Sequence, residues 1–114
     1  MPDPPFLPVN KPETPEYCLV IDLDETLVHY NEKEDYFMVR PGVAPFLNTL
    51  KVHYELVLWT ASVKKYADWI LDSVDPAQLM GTRLYRNHCT LKKGMYVKDL
   101  TMLGRDLFLF SARI

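Results

Sequence analysis

Two aspartates one residue apart, Asp22 and Asp24, follow directly on the apolar run Tyr17-Cys-Leu-Val-Ile21. Carboxylates this close repel one another, and a hard cation relieves the repulsion. Magnesium suits the task, because it takes a few carboxylate oxygens and fills its other positions with water and phosphate oxygens. With the charge offset, one carboxylate is able to attack phosphorus and form an aspartyl-phosphate. The other can give a proton to the leaving alkoxide and later take one from water. Taken alone, the pair reads equally well as turn formers or helix caps. A calcium loop is the remaining reading of Asp-x-Asp-x-Thr. It fails at the sixth position, where Leu27 stands instead of glycine, and at the twelfth, where Lys33 replaces a bidentate glutamate.

The elements around the pair are those of a parallel sheet. A continuous apolar run such as residues 17 to 21 predicts a strand covered on both faces. A second run, Tyr54-Glu-Leu-Val-Leu-Trp59, has the same form and ends in Thr60-Ala-Ser62. Ligands collect beyond the carboxyl ends of such strands, which is where Asp22, Asp24, Thr60 and Ser62 all fall. Between the two runs, residues 35 to 40 predict an edge strand, and Val43, Phe46, Leu47 and Leu50 share one face of a helix begun near Pro41-Gly42 and Pro45. Val63, Tyr66, Ala67, Ile70, Leu71 and Val74 follow the helical i, i+3, i+4 series. Ser62 is placed to cap that helix, and Pro76 ends it by excluding Asp75 from helical geometry. Thr82 to Tyr85 predicts a third strand, Gly94 a turn before Met95-Tyr-Val-Lys98, and Lys98 to Arg105 a helical stretch. Strands alternating with helices imply βαβ crossovers and an α/β sheet with helices on both faces.

The composition bounds the class. A chain of 114 residues, 48% hydrophobic and 25% charged, has the make-up of one globular domain. A net charge of −2 provides no overall field to draw in nucleic acid or an anionic membrane. Cys18 and Cys89 form no Cys-x-x-Cys pair, so a reducing compartment is the default expectation. Residues 1 to 16 hold six of the nine prolines and predict an extended lead-in outside the core, with the domain proper at 17 to 114. The opening residues lack the pattern of a signal or transit peptide, and no apolar run reaches bilayer length. His29, His53 and His88 are scattered without ligand spacing, while Trp59 and Trp69 sit in apolar patterns as core or cleft wall.

Asp22-Leu-Asp-Glu-Thr-Leu-Val-His29 resembles the first motif of the haloacid dehalogenase superfamily, in the form used by phosphatases of the RNA polymerase II carboxyl-terminal domain. Arg40-Pro-Gly42, residues 54 to 62, Tyr66-Ala-Asp68, residues 83 to 86, His88-Cys89 and residues 98 to 107 follow in that family's order. The resemblance covers about residues 17 to 107 and implies a Rossmann-like parallel sheet and a magnesium-dependent protein serine/threonine phosphatase. It assigns Asp22 as nucleophile and metal ligand, and Asp24 as general acid/base with its backbone carbonyl on the metal. Thr60 is expected to bond a phosphate oxygen, and Lys98 to contact both the phosphate and Asp22. Arg40, Tyr85 and Arg86 are candidate contacts to a phosphopeptide, with Arg40 equally placed to fix the turn at Pro41-Gly42.

The family pattern runs on into a further buried strand ending in Asp-Asn or Asp-Asp, a third magnesium ligand. Here the sequence reads Phe108-Leu-Phe-Ser-Ala-Arg-Ile114, with no acidic residue after Asp106. The resemblance therefore implies a fold incomplete at its carboxyl end and activity weakened or lost. The missing strand would leave an apolar edge beside residues 17 to 21, and Leu107 to Phe110 is apolar enough to pair there. The expected partner is a phosphorylated peptide or protein, with no direct nucleic acid and no membrane span, in the nucleus or cytoplasm. A rival reading is a non-catalytic binding module similar to the mitochondrial inner-membrane presequence receptor, which Asp72-Ser-Val-Asp-Pro76 resembles. That lineage commonly loses the aspartates kept here at 22 and 24.

Overall fold

A computed structural model of the chain describes residues 1–105 and the backbone of residues 109–112. Its centre is a parallel sheet of four strands: β1 (Tyr17–Ile21), β4 (Tyr54–Trp59), β5 (Thr82–Leu84) and β8 (Leu109–Ala112), in the order β5-β4-β1-β8. Helix α1 (Val43–Lys51) joins β1 to β4, and α2 (Lys64–Val74) joins β4 to β5. The chain thus builds outward from β1 on one side and returns to its other side with β8. That reversal opens a crevice beyond the carboxyl end of β1, where Asp22 stands. The registers are continuous, with Ile21 beside Leu58 on β4 and beside Ala112 on β8.

Alternation along each strand feeds two cores. One face carries Leu19, Ile21, Leu56 and Leu58, and packs on Val43 and Leu47 of α1 and on Ala67, Ile70 and Leu71 of α2. The opposite face carries Cys18, Val20, Val57 and Trp59. Among the described residues, that second face is covered by Leu7, Leu84, Cys89 and Leu103, with Phe6 and Leu100 packed against them. A 3-10 turn at Leu100–Met102 and the proline-rich lead-in flank it.

The lead-in is therefore part of the core, contrary to its composition. Leu7 is only 3% exposed, and the backbone N–H groups of Phe6 and Leu7 donate to the carbonyls of Met102 and Leu103 at 2.9 and 3.1 Å. Gly104, at a φ of +83°, lets the two segments lie this close. A Cβ there would stand 2.6 Å from the side chain of Pro5. Prolines remove donors but leave extended backbone free to pair wherever a non-proline N–H remains. Leu7→Ala should lower stability by about 2 to 4 kcal/mol, a fall in melting temperature of roughly 10 °C or more, whereas Val9→Ala should change nothing measurable. Val9 is 87% exposed. Equal melting temperatures for the two variants would mean that the lead-in does not pack as described.

Other expectations are adjusted in detail. Residues 36–39 do form a strand, β3, but it pairs antiparallel with β2 (Val28–Asn31) in a separate hairpin and not at the edge of the main sheet. The stretch 98–105 holds only one 3-10 turn, capped by Asp99, whose Oδ1 accepts the Thr101 N–H at 3.1 Å. Strands β6 (Thr90–Lys92) and β7 (Met95–Val97) form a second hairpin, which turns at Gly94 with a φ of +76°. Helix α2 ends at Val74 before Pro76, and the buried Asp75 carboxylate accepts the N–H groups of Leu79 and Met80, both at 2.9 Å. Of the run expected to pair beside β1, residues 109 and 110 do so in β8, while 107 and 108 lie outside the described residues. Asp106 lies outside them too.

Candidate active site

The loop after β1 is built around Leu23. Its side chain is fully buried between the two aspartates, and its carbonyl accepts the N–H groups of Thr26, Leu27 and Val28 at 3.3, 2.9 and 3.2 Å. Glu25 adopts a φ of 60° to close this turn, and Leu27 anchors it with 0% exposure. Because side chains alternate along extended backbone, burying Leu23 sends Asp22 and Asp24 to the open side together.

Each aspartate then meets a different set of partners. Asp22 Oδ1 accepts the Leu23 N–H at 2.9 Å and a hydrogen bond from Lys98 Nζ at 3.0 Å. The β6–β7 hairpin delivers that lysine from 76 residues further along the chain. Oδ2 accepts no hydrogen bond from the described residues, so one oxygen of a partly exposed carboxylate is held while the other has no partner among them. Asp24 is engaged on both oxygens: Oδ2 accepts from Ser62 Oγ and Oδ1 from Tyr66 Oη, each at 2.9 Å. Ser62 is thus a donor to a carboxylate and not the cap of α2, whose N-cap is Val63 with no side-chain bond. A hydrogen bond to an ionised acceptor outweighs a neutral cap, which explains the difference.

Thr60 is 0% exposed, and its Oγ1 accepts the Ser62 N–H at 3.0 Å. The hydroxyl proton finds no acceptor among the described residues, while the Thr60 carbonyl receives the Cys89 thiol at 3.9 Å. Both cysteines are free and buried, and burial followed by the charge of Glu55 pushes the Cys18 thiol up to about 12. Neither is a nucleophile at ordinary pH.

For a magnesium ion the donors on hand are hard oxygens, those of the Asp22 carboxylate and the carbonyl assigned to Asp24. The carboxylate of Asp24 is taken by two hydroxyls. Among the described residues no group of three or more His, Cys, Asp or Glu side chains is placed to hold a metal. A cation that keeps much of its water shell and completes it with phosphate oxygens fits this donor set, and magnesium is such a cation.

Residues 17–109 match the profile of the NLI interacting factor-like phosphatases. The chain belongs to this family. Among the family's curated members it is 40% identical to CTD small phosphatase-like protein 3 of Caenorhabditis elegans over 121 residues, covering 90% of this chain and 42% of that protein. To the human carboxy-terminal domain RNA polymerase II polypeptide A small phosphatase 2 it is 39% identical, over 87% of this chain and 43% of that protein. The chain thus spans about two-fifths of the length of these relatives. A solved structure of Fcp1, described as an essential RNA polymerase II CTD phosphatase, superposes with a TM-score of 0.63 at 20% identity. It covers 82% of this chain and 36% of that one, a likeness of fold. The Rossmann-like parallel sheet of the haloacid dehalogenase superfamily is therefore the architecture of this NLI interacting factor-like domain.

The remaining candidates sit around this centre. Arg40 Nη1 donates to the Thr26 carbonyl at 3.4 Å, bracing the loop that carries Asp24, and its backbone N–H donates to Leu27 at 2.8 Å. Tyr85 is buried, with its hydroxyl donating to Asp68 Oδ1 at 2.6 Å, and burial followed by that bond pushes the phenol up to about 12. Arg83 donates to the same Asp68 oxygen at 3.1 Å. Arg86 Nε donates to the Ala61 carbonyl at 2.7 Å, with its guanidinium 4.9 Å from the ring centre of Tyr96. The sequence places Ser62 beyond a strand end with Asp22, Asp24 and Thr60, but gives neither it nor Tyr66 a role on Asp24. Ser62 precedes α2 and Tyr66 lies in its first turn, so no helical face joins the two in the sequence.

Proposed function

We propose that this domain houses a magnesium-dependent phosphatase site for phosphoserine or phosphothreonine in a peptide or protein, working through an aspartyl-phosphate on Asp22. The observation that carries the reading is the asymmetry of the pair: one oxygen of Asp22, beside Lys98, has no partner among the described residues, while Asp24 is held by two hydroxyls. Asp22 Oδ2 attacks phosphorus, and the bond to the seryl oxygen breaks as a protonated Asp24 gives that oxygen its proton. Water then attacks the aspartyl-phosphate, Asp24 takes up the water proton, and Asp22 is released with inorganic phosphate. Lys98 offsets the charge gathered between Asp22 and the phosphoryl oxygens. Thr60 would serve those oxygens only with its unplaced hydroxyl proton. Magnesium, held by Asp22 and the Asp24 carbonyl, would add positive charge against the same oxygens.

A peptide substrate is favoured by the surface beside Asp24. An open cleft of about 380 Å³ lined by Tyr30, Val63, Tyr66 and Trp69, with Asp35 and Lys65 also lining it, gives largely apolar walls to residues flanking the phosphate. The test is to incubate the chain with a phosphoserine peptide and magnesium, quench with acid, and search for a phosphoryl adduct by mass spectrometry. An adduct on the fragment bearing Asp22, together with phosphate release that a chelator stops, is the expected result. Peptide binding with neither adduct nor release would make the domain a binding module and overturn the enzymatic reading.

A further inference from the structure

Two hydroxyls hold the Asp24 carboxylate, one on each oxygen. The terminal torsion of an aspartate is broad, so a carboxylate held at one oxygen can still pivot about its Cβ–Cγ bond. Ser62 alone would leave Asp24 in that condition. Tyr66, in the first turn of α2, fastens the other oxygen at the same 2.9 Å and removes the freedom. Each oxygen retains a second lone-pair direction, so the proton can still be carried towards the leaving group.

We propose that Tyr66 is a positioning residue for Asp24, its phenol fixing the direction in which the carboxyl presents its proton. The proposal rests on the reading of Asp24 as the acid/base group. The packing of the ring supports it. The Tyr66 ring is clamped by neighbours, with Tyr30 at 5.4 Å and 81° between ring planes and Trp69 at 6.4 Å and 52°. Phe37 in turn meets Trp69 at 5.1 Å and 83°. Tyr30 and Phe37 belong to the β2–β3 hairpin, so the phenol is located by two elements at once and can transmit rigidity to the carboxylate.

The variant is Tyr66→Phe in the full chain, which retains the ring and its packing. Loss of one hydrogen bond to a charged group should lower kcat for a phosphoserine peptide about 10-fold, with KM changed less than about twofold. Turnover of an aryl phosphate, whose leaving group needs little protonation, should fall less than about twofold. In an Asp24→Asn background, Tyr66→Phe should produce no further loss, because interacting groups are not additive. Equal losses on both substrates, or losses that multiply in the double variant, would reduce Tyr66 to packing and overturn the proposal. A separate readout needs no turnover: the side-chain carboxyl carbon resonance of Asp24 should shift in Tyr66→Phe while that of Asp22 stays in place. An unmoved Asp24 resonance would sink the proposal even in a protein that hydrolyses nothing. If Asp24→Asn alone failed to discriminate between the two leaving groups, the acid/base reading itself would fall. The resonance would then report only whether Tyr66 holds the carboxylate.

Discussion

Asp22→Asn should abolish phosphate release, by at least about 10⁴-fold, and leave no phosphoryl adduct on the protein. An amide is a poor nucleophile and carries no charge for a cation, so the substitution removes bond formation and metal anchoring together. The fold should persist, because the side chain is partly exposed and, among the described residues, its hydrogen bonds are those to Leu23 N–H and Lys98. The amide oxygen can still accept both. Measurement of release from a phosphoserine peptide at saturating magnesium, with a thermal melt alongside, separates lost chemistry from lost structure. Release at the parent rate would show that the nucleophile is elsewhere.

Asp24→Asn should slow a serine phosphate by about 10² to 10³-fold and an aryl phosphate by less than about 10-fold. The seryl alkoxide is a poor leaving group that must be protonated as the bond breaks, whereas an aryl oxide departs with little help. Both carboxylate oxygens of Asp24 receive hydroxyl protons, so the amide nitrogen of the variant would face a donor on one side. The rotatable hydroxyls of Ser62 and Tyr66 can turn to accept, which keeps the local structure. Parallel losses on the two substrates would argue that Asp24 supports the loop and does not move the proton.

The main sheet was legible because its strands are short apolar runs with a polar break at each end, and α2 because its apolar series is long enough to leave one period possible. Val28–Asn31 gave no such signal. Its four residues hold a single buried position, Val28, so only the partner strand, paired at Val28 and Val39, defines it. The helix expected over 98–105 shrank to one turn, since Gly104 holds a φ of +83° and Asp99 caps a 3-10 geometry. In the site, Asp22 and Lys98 meet as expected. The roles of Ser62 and Tyr66 were hidden because each had an adequate local explanation, a cap and an apolar helix position. Contacts between residues 38 and 42 positions apart, those from Asp24 to Ser62 and to Tyr66, are properties of the fold and not of any local pattern.

The match to the family profile begins at residue 17, yet Leu7 is buried with Val20, Val57 and Trp59 on the sheet's second face. A polypeptide trimmed to start where that match starts would bare that face, including a tryptophan that the whole chain keeps at 0% exposure. It would then behave as a sticky, poorly expressed protein for reasons unrelated to its chemistry. The profile boundary and burial set two different beginnings for the same domain, and anyone cutting the gene should follow the second.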